Sequence, residues 1–76
     1  MKKKTTRDRL QAIADKVGGS VYERYSGRGM FGDTCWGIVC PHSAVKEVIR
    51  ATKRFGRACT DEMGLDAIVY WPFFKE

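Results

Sequence analysis

The first regular pattern in the chain is a helical apolar repeat near the N-terminus. Apolar side chains recur at positions i, i+3, i+4 and i+7, at Leu10, Ile13, Ala14 and Val17. The pattern predicts an amphipathic helix over residues 5–18. Thr5 can cap its start together with Asp8, and the glycines at 18–19 can end it.

The pattern then changes to strand-like segments. Residues 21–25 alternate and are rich in β-formers, so Val21, Glu23 and Tyr25 should share one face of a strand. Residues 35–40 are almost all apolar, which is typical of a strand covered on both faces or central in a sheet. These two segments predict a hairpin with a long connection.

A second helix is predicted from Ala44 to about Phe55, with Ser43 as its N-cap and Gly56 ending it. Its buried stripe would contain Val45, Val48, Ile49, Thr52 and Phe55. Residues 59–66 read as a polar loop around Gly64. Residues 67–71 predict a third strand, closed by Pro72.

These elements predict an α+β fold in the order α-β-β-α-β. We expect a small sheet of about three strands, with an antiparallel hairpin and two helices covering one face. The third strand should lie next to one of the first two. Residues 1–76 would form a single domain, and residues 1–4 a frayed basic terminus.

A glycine-rich segment lies between the first two predicted strands. Three glycines occur within six positions, and Arg28 adds a charged fork of donors. The spacing matches the letters of the dinucleotide-binding fingerprint, but a strand follows instead of the required helix. Phosphate would therefore be held by loop N–H groups and Arg28. A purely conformational loop is the alternative. The predicted ligand-binding residues of the segment are Ser26, Gly27, Arg28, Gly29, Met30, Phe31 and Gly32.

Two carboxylates of the second predicted loop would complete such a site. Asp61 or Asp66 could accept hydrogen bonds from ribose hydroxyls or a base edge, and Phe31 or Trp36 could stack. The leading hypothesis is therefore a non-enzymatic binding protein for a small phosphorylated or nucleotide ligand. Both loops would frame its pocket at the sheet ends.

Charge suggests a second interpretation. The formal net charge is +5, and the second predicted helix carries a basic stripe. This stripe predicts a nucleic-acid-binding face, although residues 58–76 hold four acids against one lysine and could neutralise it. Basic residues also commonly offset the dipole at a helix C-terminus. The stripe consists of Lys46, Arg50, Lys53, Arg54 and Arg57.

Metal or catalytic chemistry has weaker support. Cys35 and Cys40 are five positions apart, so a regular strand places them on opposite faces, and no metal or cofactor is expected. A hydrolytic site would combine Cys40 or Ser26 with His42 and Asp61, but no motif fixes that geometry. The sequence therefore does not predict an enzyme.

Exposed apolar pairs allow a third interpretation. Met30-Phe31 and Phe73-Phe74 could anchor a protein partner, as in an inhibitor of a host protein. The large apolar content of so short a chain also predicts a homo-oligomer. No membrane-spanning stretch is present in the sequence. Three cysteines cannot all pair with one another, so a cytoplasmic protein with reduced thiols is expected.

Two stretches in the later part of the chain are distinctive: residues 25–32 followed by Cys35 and Gly37-Ile38, and residues 61–66 followed by residues 68–72. In these stretches, but not in the first helix, the chain resembles a group of small, mostly unassigned bacteriophage-encoded proteins. This resemblance implies a role against host defence or regulation, by sequestering a nucleotide signal or by binding a host protein or nucleic acid. The resemblance also implies the cytoplasm of an infected bacterial host. It carries no active site over to this chain.

Overall fold

The residues that the structure describes form two helices and one four-stranded sheet. A computed structural model describes residues 5–25 and 34–74. The helices and strands are α1 (Thr6–Val17), β1 (Ser20–Tyr25), β2 (Cys35–Cys40), α2 (Val45–Ala51), β3 (Cys59–Met63) and β4 (Asp66–Tyr70), with short 3-10 turns at His42–Ala44 and Lys53–Phe55. The predicted α+β class is confirmed, but the sheet has four strands where about three were expected.

All neighbouring strands are antiparallel, in the order β1-β2-β4-β3. The central pair is β2 and β4, where Ile38 lies opposite Val69 and both side chains are fully buried. The strand predicted at residues 67–71 corresponds to β4 and lies beside β2, as expected. The two edge strands are β1 and β3.

Helix α1 follows the predicted local signals. Thr5 and Asp8 form a reciprocal capping box, in which each side chain accepts the other's backbone N–H at 3.1 Å. Gly18 ends the helix in the left-handed conformation, and its N–H donates to the Ala14 carbonyl. Leu10 and Ala14 are fully buried, so the predicted apolar stripe is confirmed at its centre.

Both helices pack on the same side of the sheet, as predicted. Helix α1 contacts β1 and β2, while α2 contacts β4. We call this side the helix-covered face. Its core consists of Leu10, Ala14, Ile38, Cys40, Val48, Phe55, Val69 and Trp71.

Helix α2 is shorter than predicted. It ends at Ala51, where the Thr52 hydroxyl donates to the Val48 carbonyl at 2.7 Å and a 3-10 turn follows. This change of path directs Phe55 inward, with its ring centroid 5.4 Å from that of Trp71. The predicted N-cap is also wrong, because Ser43 lies within a 3-10 turn and Ala44 occupies the cap position without a side-chain bond.

The predicted polar loop at residues 59–66 is wrong, because it forms β3, a tight turn and the start of β4. Met63 pairs with Asp66, so only Gly64 and Leu65 connect the strands. Gly64 has φ 63°, and no described non-glycine residue has positive φ, which fits a two-residue type II′ turn. Acidic residues such as Asp and Glu are generally depleted in strands. An edge strand can nevertheless keep polar side chains in solvent, and Thr60 and Glu62 are both exposed.

The C-terminal aromatic pair separates into two environments. Phe74 is half-buried, with its ring 4.7 Å from that of Phe55, whereas Phe73 is 54% exposed. Phe74 therefore packs on its own chain, and Phe73 keeps the apolar surface that a partner would need. The homo-oligomer stays a prediction. None of the described helices has the length and hydrophobicity needed to cross a bilayer.

We expect Gly37→Ala to lower the free energy of unfolding by about 1–3 kcal/mol, the usual range for overpacking a core. A Cβ at this position would lie 3.0 Å from Cδ1 of Ile68 and 3.2 Å from the Val69 carbonyl oxygen. Urea denaturation measures the effect. Ile68→Val removes Cδ1, so the double variant should lose less stability than the sum of the single losses. Strict additivity would contradict this account.

Candidate ligand-binding site

The side of the sheet opposite the helices carries two rows of paired residues that cross all four strands. We call it the tyrosine face. Since directly paired residues share a face, the first row is Tyr22, Gly37, Tyr70 and Cys59, and the second is Ser20, Val39, Ile68 and Asp61. Ile68 is fully buried at the centre of this face although no helix covers it.

Three tyrosine rings form a cluster on this face. The Tyr25 ring lies 5.1 Å from Tyr70 and 5.7 Å from Tyr22, in edge-to-face arrangements. Tyr22 and Tyr25 share the face because a bulge shifts the register between them, from Tyr22 opposite Gly37 to Tyr25 opposite Cys35. Regular alternation predicted the two tyrosines on opposite faces, and the bulge makes that prediction wrong.

The Asp61 carboxylate connects this cluster to the far edge of the sheet. The Tyr25 hydroxyl donates to Asp61 Oδ2 at 3.1 Å, and the Glu62 N–H donates to Asp61 Oδ1 at 2.8 Å. Tyr25 lies on β1 and Asp61 on β3, and both side chains are half-buried.

The Tyr25–Asp61 bond requires the sheet to curl. Strands β1 and β3 are three strand spacings apart. Tyr25 pairs with Cys35, whereas Asp61 lies in the row of Val39, which is four residues further along β2. In a flat sheet their Cα atoms would be about 19 Å apart, from spacings of about 4.8 Å and a rise of about 3.3 Å per residue. Twist and curl therefore make the tyrosine face concave.

The glycine-rich segment lies outside the described residues, and so do the predicted site residues 26–32. Its flanking residues are described. Tyr25 precedes it on the tyrosine face, and Cys35 follows it on the same face, 5% exposed. Strand β1 therefore ends, and β2 begins, at the end of the sheet that carries the tyrosine cluster.

The two predicted carboxylates lie on adjacent strands, where the register makes Asp66 a diagonal neighbour of Asp61, about 7–8 Å away. Asp61 is bonded to Tyr25, but Asp66 pairs with Met63 beside the hairpin turn. Asp66 lies four residues before Tyr70 on β4, about 13 Å along the strand. Trp36 packs against the helix-covered core, on the other side of β2 from Gly37. Only Asp61 therefore lies with the tyrosine cluster.

The tyrosines are the functional candidates that sequence reasoning missed. Most of the aromatic side chains are expected in the core, because a small sheet under two helices needs large side chains. The available sequence signal was the position of Tyr22 and Tyr25 just before the glycine-rich segment, but its meaning depends on the bulge, and the contact with Tyr70 depends on the strand order.

The structure does not favour Cys40 as the nucleophile of a hydrolytic site. The Cys40 side chain is 1% exposed within the helix-covered core. Burial raises the pKa of its thiol, with a smaller contribution from the Asp66 charge. A thiolate nucleophile is therefore disfavoured there. Among the described residues, no three His, Cys, Asp or Glu side chains lie close enough to hold a metal ion.

The predicted basic stripe does not lie on one helix. Lys46 and Arg50 lie on α2, Lys53 and Arg54 in the following 3-10 turn, and Arg57 beyond Gly56. All five side chains are exposed. Among the described residues the salt bridge is between Arg7 and Glu23, at 3.7 Å. No described acidic side chain therefore forms a salt bridge with the five basic residues.

Comparison of the chain with known protein families, curated proteins and solved structures found no match. The functional argument therefore depends on the geometry of the chain itself.

We expect Tyr25→Phe to lower the free energy of unfolding by about 1–2 kcal/mol, because it removes a part-buried hydrogen bond to a carboxylate. Tyr22→Phe is the matched control, since Tyr22 is 41% exposed on the same strand. That substitution should stay within about 0.5 kcal/mol. Equal losses in urea denaturation would show that the Tyr25 hydroxyl does not hold the face together.

Proposed function

We propose that this chain is a non-enzymatic binding protein whose tyrosine face and glycine-rich segment hold a small phosphorylated ligand of the nucleotide type. One observation carries the proposal. Tyr25, the residue directly before the glycine-rich segment, bonds Asp61 through its hydroxyl and contacts Tyr70 through its ring. A phosphate-binding segment, aromatic rings and a carboxylate would thus be adjacent.

The tyrosine face suits the uncharged part of such a ligand. Aromatic side chains bind bases by stacking, typically with about 1–3 kcal/mol per base. A carboxylate accepts several hydrogen bonds at once, so Asp61 can accept from a ribose hydroxyl or a base N–H. The concave curl of the sheet brings the rings and the carboxylate to one side of the sheet, which supports binding of a single ligand by both.

The glycine-rich segment suits the phosphate. Glycines allow close approach of the backbone N–H groups, and Arg28 offers a bidentate fork for phosphate oxygens. Asp66 is not part of this proposal, because it lies beside the hairpin turn. The function that follows is sequestration of a nucleotide signal in an infected bacterial cell, without chemical conversion.

Isothermal titration calorimetry against a panel of linear and cyclic nucleotides tests this proposal. At least one member should bind, and Arg28→Ala should weaken it at least tenfold, about 1.4 kcal/mol. Tyr70→Leu should weaken binding as well. Lys16→Ala is the control, because Lys16 is exposed on α1.

Two results would contradict the proposal. One is the absence of binding across the whole panel by a folded protein. The other is full affinity in Arg28→Ala, which would remove the phosphate-binding role of the segment even if the tyrosine face retained a ligand.

Nucleic-acid binding is a second candidate, supported by the exposure of all five basic side chains. Its affinity should fall steeply with salt, and each phosphate-binding cation removed should reduce the slope of log K against log salt by about 1. Gel shifts with single- and double-stranded substrates measure this for Arg50→Ala and Lys53→Ala. The control is Arg7→Ala, because Arg7 pairs with Glu23. No shift at low salt would exclude this candidate.

A further inference from the structure

The helix layer is narrower than the sheet, and β3 extends beyond it. Helix α1 packs on β1 and β2, and α2 packs on β4. Thr60 and Glu62 pair with Val69 and Ala67, so they point to the helix side, yet both are exposed. No helix in the described part of the chain therefore covers the helix-facing side of β3.

A cleft of about 460 Å³ lies at this step between α2 and β3. Its volume falls within the usual range for ligand pockets, about 300–1,000 Å³. Its lining combines apolar and polar side chains. The lining residues are His42, Val45, Lys46, Thr60, Asp61, Glu62 and Ala67.

One wall of the cleft is the edge strand β3, and an edge strand favours a ligand with an extended backbone. Strand β3 pairs with β4 on one side and is last in the strand order. An edge strand directs backbone N–H and C=O groups outward and is a template for another extended segment. In strand addition the backbone supplies affinity, and alternate side chains supply specificity. An extended peptide therefore fits this cleft.

The other wall is basic. Lys46 lines the cleft, and Arg50 lies one helical turn further along the same side of α2. The start of α2 lies beside Glu62, whereas Phe55, beyond its end, contacts Trp71. Helix α2 thus runs antiparallel to β3, and Arg50 lies further toward Cys59 than Lys46 does.

The acidic residues of β3 determine where an acidic side chain of the added peptide can pair with this strand. The Asp61 carboxylate is bonded to Tyr25 on the tyrosine face, so Glu62 is the acid that points to the helix side. Like charges directly opposite one another destabilise a strand pair. An acidic side chain on the added strand is therefore disfavoured opposite Glu62 and favoured opposite Thr60, where it faces Lys46 and Arg50.

We propose that the β3 edge binds an extended peptide segment as a fifth strand, with an acidic side chain opposite Thr60 that pairs with Lys46 and Arg50. A second copy of the chain fits less well. Antiparallel self-pairing of β3 would place its adjacent acids, Asp61 and Glu62, against those of the other copy. This site lies across β3 from the proposed nucleotide site and does not depend on it.

The test uses the full chain and a capped peptide, acetyl-Thr-Val-Thr-Glu-Thr-Val-Thr-amide, with Gln and Lys versions at its central position. At low salt the Glu peptide should bind at least tenfold more tightly than the Lys peptide. Amide chemical shifts in an NMR titration should change at Thr60 and Glu62. The double variant Lys46→Glu/Arg50→Glu should reverse the preference in favour of the Lys peptide.

Arg9→Glu/Lys16→Glu is the matched control, because it makes the same charge change at exposed positions of α1. It should leave the preference for the Glu peptide intact. Binding of none of the peptides, equal binding of all three, or an equal effect of the two double variants would overturn the proposal. The proposal would also be overturned if, without peptide, the β3 amides became protected from hydrogen exchange at higher protein concentration and sedimentation showed a dimer. The edge would then be occupied by a second copy of the chain.

Discussion

The structure depends on a central strand pair that is buried on both sides. In β2 and β4, Ile38 and Val69 fill the space under the helices, while Ile68 is fully buried on the tyrosine face. A Cβ on residue 37 would lie only 3.0 Å from the Ile68 side chain, so glycine fits this position without displacing its neighbours. The helices pack on one side of this pair, and the tyrosine cluster extends across the other.

The edges of the sheet carry the functional candidates because its centre is occupied by packing. The bulge in β1 turns Tyr25 onto the tyrosine face, and its bond to Asp61 joins the two edge strands. Edge strands accept bulges and polar side chains because they have only one neighbour to satisfy. A carboxylate and three rings are held in place in this way without a helix above them.

Successive side chains of β3 point alternately to the tyrosine face and to the cleft beside α2. Asp61 points to the tyrosine face, while its neighbours Thr60 and Glu62 point to the cleft beside α2. A ligand on the tyrosine face and a peptide at the edge would therefore contact adjacent residues of the same strand from opposite sides. The two proposals thus use different side chains and can be tested independently.

Local signals in the sequence determined α1, β2 and the buried stripe of α2, because capping residues, left-handed glycines and apolar spacing act over a few residues. The same local reasoning missed β3, since Thr60, Asp61 and Glu62 form a strand only when β4 lies beside them. It also missed the end of α2, which depends on the burial of Phe55 against Trp71. For the candidate site, the sequence identified Asp61 but paired it with Asp66, which lies beside the hairpin turn, about 13 Å along β4 from Tyr70. Only the tertiary structure decided that Tyr25 meets Asp61, because this contact depends on the strand order, a bulge and the curl of the sheet.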